Sequence, residues 1–217
     1  MCVTCLQGIR QRLPACVVDA GCGSADFDKM RRAILPRATG VVVEIGFGSG
    51  HSLPHYDPAR VARILAIEPD AGMRRRAGRA LRSARVPVKV IDATGETLPL
   101  PSASADTFVM GYVLCTVPDP AACLWQAARI LKPGGRLLFC EHGIADPGMR
   151  RWVQRGIDGP WGQLAGGCTL LRDPLAHLRA AGFRCRDLRR SRFTGVLGLL
   201  GSHVGGWAVP AAPAGGA

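Results

Sequence analysis

The chain has 217 residues, and its 28 Lys and Arg against 16 Asp and Glu give a formal net charge of +12. With 47% hydrophobic and 20% charged residues, it can build a core, which excludes disorder by composition. The length suits one domain with a small covering segment, is short for a typical TIM barrel, and carries no repeat at a solenoid period.

In chain order, residues 1–26 read as an N-terminal arm. Arg10 and Arg12 interrupt any secretory apolar region, and no apolar run is long enough to span a bilayer. Cys2-x-x-Cys5 has the spacing of a zinc-binding pair, but Cys16 and Cys22 have five residues between them and no His lies nearby, so no metal is expected. The nine cysteines are odd in number and irregular in spacing, which points to a reducing, cytoplasmic setting rather than a disulfide scaffold. Val17–Gly23 looks like a strand entering a glycine loop but lacks a third glycine, and it is assigned to the arm.

Phe27–Leu35 then reads as a short helix, and Val41–Ile45 and Ile64–Ile67 as continuous apolar strands. Asp70–Ala84 is an Arg-rich helix, followed by strands at Val86–Ile91 and Thr107–Val113. Asp119–Leu131 is an amphipathic helix stopped by Lys132-Pro133-Gly134-Gly135, and Arg136–Cys140 is a fifth strand. Residues 147–172 are irregular or helical. Pro174–Ala181 is a helix closed by Gly182, and Phe183–Arg190 and His203–Val209 are two last strands without a helix-length connection. This alternation predicts an α/β, Rossmann-like doubly wound sheet of about seven strands, mostly parallel with an antiparallel edge strand. In such a sheet the ligand lies over the carboxyl ends of the strands. The tail from Pro210 to Ala217 is low-complexity.

The central motif is Glu44-Ile45-Gly46-Phe47-Gly48-Ser49-Gly50, directly after the first strand. Its G-x-G-x-G spacing is not the dinucleotide one, and alone it says little. Acids at successive strand ends raise its value. Glu68 stands where a carboxylate accepts from both ribose hydroxyls, and Asp92 where one accepts from an adenine amino group, with Ala93 and Thr94 offering backbone N–H groups. Glu44 would repel a pyrophosphate but suits an ammonium. A nucleoside with a cationic amino-acid tail is S-adenosylmethionine. The expected cofactor residues are Glu44, Gly46, Gly48, Gly50, Ser52, Glu68, Asp92, Ala93 and Gly111.

On these residues the sequence resembles the class I S-adenosylmethionine-dependent methyltransferases over roughly residues 27–209. Gly95-Glu96-Thr97-Leu98-Pro99, Arg129–Gly135 and Glu141-His142 add to the match. Within the class it is similar to a bacterial branch related to small-molecule thiol S-methyltransferases. The marks are His55-Tyr56, Val113–Val117, Glu141-His142-Gly143 and Gly166–Arg172. The chain departs from that branch at His51 and Ser52, beside the methionine end of the cofactor. The mammalian relatives carry a membrane-anchoring segment, and that property does not carry over to the arm seen here. The resemblance implies a methyltransferase domain at 27–209, with 147–172 covering the acceptor and 210–217 as a flexible tail.

Methyl transfer is an in-line displacement, chiefly a positioning task. A hydroxyl or amide acceptor also needs a base, whereas a thiol with a pKa of about 8.5 is already partly thiolate near neutral pH. His142 is the best candidate base, and Tyr112 the best candidate to line the methyl-donor pocket or bond the acceptor. Asp158, Trp161 and Arg172 are expected around the acceptor, with Trp152 and Trp161 as an apolar wall and Arg172 binding an acidic group or pairing with Asp158. Cys115 reads as a small buried hydrophobe. The Arg runs at 74–85 and 184–192 read as solvated faces. Aromatic residues make up only 6%, too few for stacking on bases, so nucleic acid is set aside. The expected partner is a small-molecule thiol, without a stable membrane anchor, for a monomer or homodimer. The competing reading is a phospholipid or quinone-type methyltransferase at a membrane surface, motivated by charge and by Val196–Leu200.

Overall fold

The computed structural model describes residues 19–194 and 201–211. Val196–Leu200, Cys2, Cys5, Cys16 and most of the low-complexity tail lie outside them.

The strands are β1 (Gly40–Ile45), β2 (Val61–Ile67), β3 (Val88–Ile91), β4 (Ala105–Gly111), β5 (Leu131–Gly143), β6 (Phe183–Arg192) and β7 (Ser202–Pro210). They form one sheet in the order β3-β2-β1-β4-β5-β7-β6. The first five run parallel, while β7 pairs antiparallel with both β5 and β6. The expected seven-stranded, mostly parallel sheet is present. The chain reverses between β4 and β1, and this switch point opens the crevice where the glycine loop sits.

Helix α1 (Ala25–Ile34) precedes the sheet and packs on β5 and β7. It begins inside the segment assigned to the arm, and residues 19–22 before it are also helical, so the Val17–Gly23 likeness to a strand does not extend to its described part. The Arg-rich segment forms two short helices, α2 (Ala71–Arg76) and α3 (Gly78–Arg82), rather than one. Asp70 caps α2, accepting from Met73 N–H at 2.7 Å. Helix α4 (Pro120–Ile130) has Asp119 as its cap and Pro120 in its first turn, a pairing repeated by Asp173 and Pro174 at α6 (Pro174–Ala180). Between β5 and α6 lies α5 (Met149–Leu164), a helix that runs through Pro160.

Strand alternation divides β1 between two cores. Val43 and Ile45 face α4 and α6, with Phe108, Leu124 and Leu137. Val42 faces the other way, with Ile34, Ile64 and Tyr56, and Glu44 shares that side. Among the described residues no helix is long and apolar enough to cross a membrane.

Candidate active site

A cavity of about 640 Å³ opens over the carboxyl ends of β1, β2 and β4. Its floor is the glycine loop. Gly46 has φ +64°, and a Cβ there would stand 2.6 Å from Val113 Cγ2, so only glycine lets the loop pass under the β4 end. Gly50 does not line the cavity. It allows close packing instead, because a Cβ would meet Ala80 Cβ at 2.9 Å.

Glu44 is buried beneath this loop, and its Oε2 accepts from Ser52 Oγ at 2.9 Å and Tyr56 OH at 3.0 Å. Burial pushes its carboxyl up to about 7, against the opposing pull of those two hydroxyls and of Arg31. Ser52 thus holds the carboxylate. His51 Nε2 lies 2.9 Å from Asp19 Oδ1, and the same carboxylate accepts from Ser49 Oγ. The end of the arm is thereby tied to the glycine loop.

Glu68 clamps the cavity's second side. Its Oε2 accepts from Gly48 N–H at 2.8 Å and its Oε1 from Asp70 N–H at 3.0 Å. Burial raises its pKa against these two donors. Each oxygen keeps a lone pair for a further donor. Arg74 fixes the backbone beneath, donating to Glu68 O at 2.7 Å and Pro69 O at 2.8 Å. Its other amino group reaches Asp92 Oδ2 at 2.7 Å. The Asp92 side chain is 67% exposed, pairs with Arg74, and does not line the cavity beyond β3. Thr94, Gly95 and Glu96 form the wall there, with Ala93 packed into the core behind them.

At the third side Gly111 and Tyr112 line the cavity. Tyr112 has φ +59°, a left-handed backbone that strains a bulky residue. The strain is held by Tyr112 N–H donating to Cys140 O at 2.8 Å, and by Glu141 Oε1, which accepts from Val113 N–H at 3.0 Å and Leu114 N–H at 3.2 Å. Tyr112 OH lies 2.8 Å from His203 Nδ1. Burial pushes His203 down to about 4, so the ring is neutral at neutral pH and Nδ1 accepts the phenol proton. Phe27 and Phe193 pack around the pair.

The remaining expected acceptor residues stand behind the cavity wall. His142 is buried, with Nε2 2.9 Å from Cys168 Sγ. The expected Asp158–Arg172 pair is replaced by two backbone clamps. Arg172 donates to Val117 O at 2.6 Å and also to Leu114 O, while Asp158 accepts from Leu170 N–H at 2.6 Å and Thr169 Oγ at 3.0 Å. Trp161 packs beside Cys115, Ala165 and Cys168. Trp152 is 73% exposed on the outside of α5, so it is no part of an apolar wall. Sequence reasoning missed Arg31 and His203. Arg31 is only 6% exposed, lines the cavity, donates to Cys22 O at 2.6 Å, and lies 5.3 Å from the Tyr112 ring centroid. Nothing in the sequence separates Arg31 from the other arginines.

These residues fit the expected cofactor. A buried carboxylate and a buried guanidinium, Glu44 and Arg31, line one end of the cavity and would suit an amino acid's ammonium and carboxylate. In the middle, the Glu68 carboxylate, fixed by the Gly48 and Asp70 amides, would suit a ribose.

Residues 43–139 match the family model described as a methyltransferase domain. Human thiol S-methyltransferase TMT1B is 30% identical over 176 residues, covering 77% of this chain and 70% of that protein. Phosphatidylethanolamine N-methyltransferase of Cereibacter sphaeroides is 30% identical over 120 residues, 54% of this chain and 58% of that one. The YcgJ protein from Bacillus subtilis superposes with a TM-score of 0.69 at 14% identity, over 87% of this chain and 99% of that one, a likeness of fold.

Proposed function

The chain belongs to the class I S-adenosylmethionine-dependent methyltransferases, and from that premise we propose that it methylates the free thiol of a small molecule. S-Adenosylmethionine is its cofactor and supplies a methyl group on a sulfonium. Glu44 takes the ammonium of the cofactor's tail and Arg31 its carboxylate. Glu68 takes the ribose hydroxyls, and the Thr94–Glu96 wall faces the adenine. Tyr112, pinned by its strained backbone and by His203, orients the acceptor beside the methyl group.

The observation that carries the thiol reading is the character of the wall around Tyr112. It includes Val113, Val117, Cys140, Ala165 and Gly166, with the Thr116 hydroxyl and no ionisable base among them, while the expected base, His142, is turned to Cys168. Such a wall suits an acceptor that brings its own nucleophile. A thiol does so once ionised, and the positive sulfonium of the cofactor favours the thiolate. The likeness to TMT1B supports the same substrate class. Matched thiol, phenol and amine acceptors, compared by release of S-adenosylhomocysteine, test the proposal. Thiol turnover should exceed the others by at least about tenfold in kcat/KM, a difference of about 1.4 kcal/mol. Turnover of only the phenol or the amine overturns it.

A second reading, methylation of a lipid headgroup or quinone at a membrane surface, is favoured by the net charge of +12 and by the likeness to the phospholipid enzyme. It requires binding to anionic vesicles that weakens with salt.

A further inference from the structure

We propose that Cys115, His142 and Cys168 form a binding site for one thiophilic divalent cation, zinc by the chemistry of its donors. The two Sγ atoms and one ring nitrogen lie within 4.8 Å of one another, and all three residues are buried. Ligands on a tetrahedral zinc, with Zn–S near 2.3 Å and Zn–N near 2.0 Å, are about 3.6–3.8 Å apart. The cluster is therefore the size of one coordination sphere. Thiolate and imidazole together select zinc over magnesium or calcium. Three protein donors leave the fourth position to water.

The donors come from three separate segments, each fixed without the metal. Cys115 lies in the turn after β4, which Glu141 grips by two backbone N–H groups and Arg172 by two carbonyls. His142 lies at the end of β5. Cys168 follows α5 in a stretch that Asp158 holds at Thr169 and Leu170, and Thr169 N–H donates to Cys115 O at 3.0 Å. A cation here ties the covering segment to the sheet directly behind Ala165, Gly166 and Thr116, which line the cavity. Binding displaces one proton from each thiol to solvent, and two thiolates with a neutral imidazole then balance the cation's two charges. A net-neutral centre is what a buried position tolerates. A Cys115–Cys168 disulfide would use only two of the donors and leave His142 Nε2 facing a sulfur without a proton.

The test uses the full chain, purified with a phosphine reductant and no chelator. Elemental analysis should find about one zinc per chain. Metal-free protein titrated with cobalt(II) should show thiolate-to-metal charge-transfer bands and release protons. Cys115→Ser and Cys168→Ser should weaken cobalt binding at least about tenfold. A Cys2→Ser/Cys5→Ser/Cys16→Ser variant and a Cys185→Ser variant should keep both the bands and the zinc. Wild-type protein with only trace metal and no charge-transfer bands overturns the proposal, whatever the variants do. So does an intact mass showing a disulfide in place of zinc, and so do bands that survive both Cys115→Ser and Cys168→Ser. Metal content is read without any acceptor, so failure here is separate from failure of the thiol reading.

Discussion

Glu44→Gln separates what the site needs from what the fold prefers. The Glu44 carboxyl ordinarily titrates at 4.5, and burial moves it to about 7 in the folded chain. Between these values the folded state binds the extra proton, so stability falls as pH rises from 4.5 to 7, and the full penalty is present above 7. A shift of this size corresponds to about 3 kcal/mol at 1.36 kcal/mol per unit. Gln carries no charge, and its amide oxygen can still accept from Ser52 and Tyr56. The cofactor-free variant should therefore be more stable than wild type at pH 8, by up to about 3 kcal/mol, and equal to it near pH 4. Cofactor binding should move the other way. Losing a charged hydrogen bond to the ammonium costs about 1.5–3 kcal/mol, roughly 10- to 150-fold in Kd. Wild-type Kd should also tighten about tenfold from pH 6 to pH 8, because the carboxylate must ionise to meet the ammonium, and the variant should lose that dependence. Urea unfolding at pH 4 and pH 8, with calorimetric titration of S-adenosylhomocysteine, measures both. Glu141, also raised to about 7 by burial, stays in both proteins and cancels in the difference. A variant that is less stable at pH 8 and binds as tightly as wild type refutes this account of Glu44.

Gly46→Ala forces a Cβ against Val113 at a positive φ, and should cost about 1–3 kcal/mol of stability with loss of cofactor binding, both seen in a thermal shift with and without S-adenosylhomocysteine. Tyr112→Phe leaves His203 Nδ1 buried without its donor. It should destabilise by about 1–3 kcal/mol and lower kcat while the cofactor Kd changes little; an unchanged kcat removes Tyr112 from the acceptor's side. Asp92→Asn removes only an exposed partner of Arg74 and should change cofactor Kd by less than about fivefold, in keeping with at most about 1 kcal/mol for a surface pair; a larger loss would return Asp92 to the adenine.

The sheet could be read from the sequence because its strands are continuous apolar runs ending in acids or glycines. Glu44 and Glu68 were found for that reason. Asp92 shows where such reading stops. Its place at the end of β3 follows from the pattern, but its rotamer follows from Arg74, eighteen positions earlier in the chain. The covering segment was ambiguous because Gly156, Gly159, Pro160 and Gly162 obscure a helical period. The direction of Trp152 and Trp161 therefore had no sequence signal. His203 reaches Tyr112 only because β7 enters the sheet beside β5, a pairing that no local pattern encodes.

That placement of β7 also bears on the order in which the molecule is assembled. Every strand that β7 touches precedes it in the chain, yet β7 fills an interior position between β5 and β6. A nascent chain that has emerged only as far as residue 200 presents β5 as a bare, apolar edge, the kind of surface that pairs with other chains. Until residues 202–210 arrive, Tyr112 also lacks the imidazole that holds its hydroxyl. Completion of the sheet and the fixing of Tyr112 at the cavity wall are therefore one late event of synthesis.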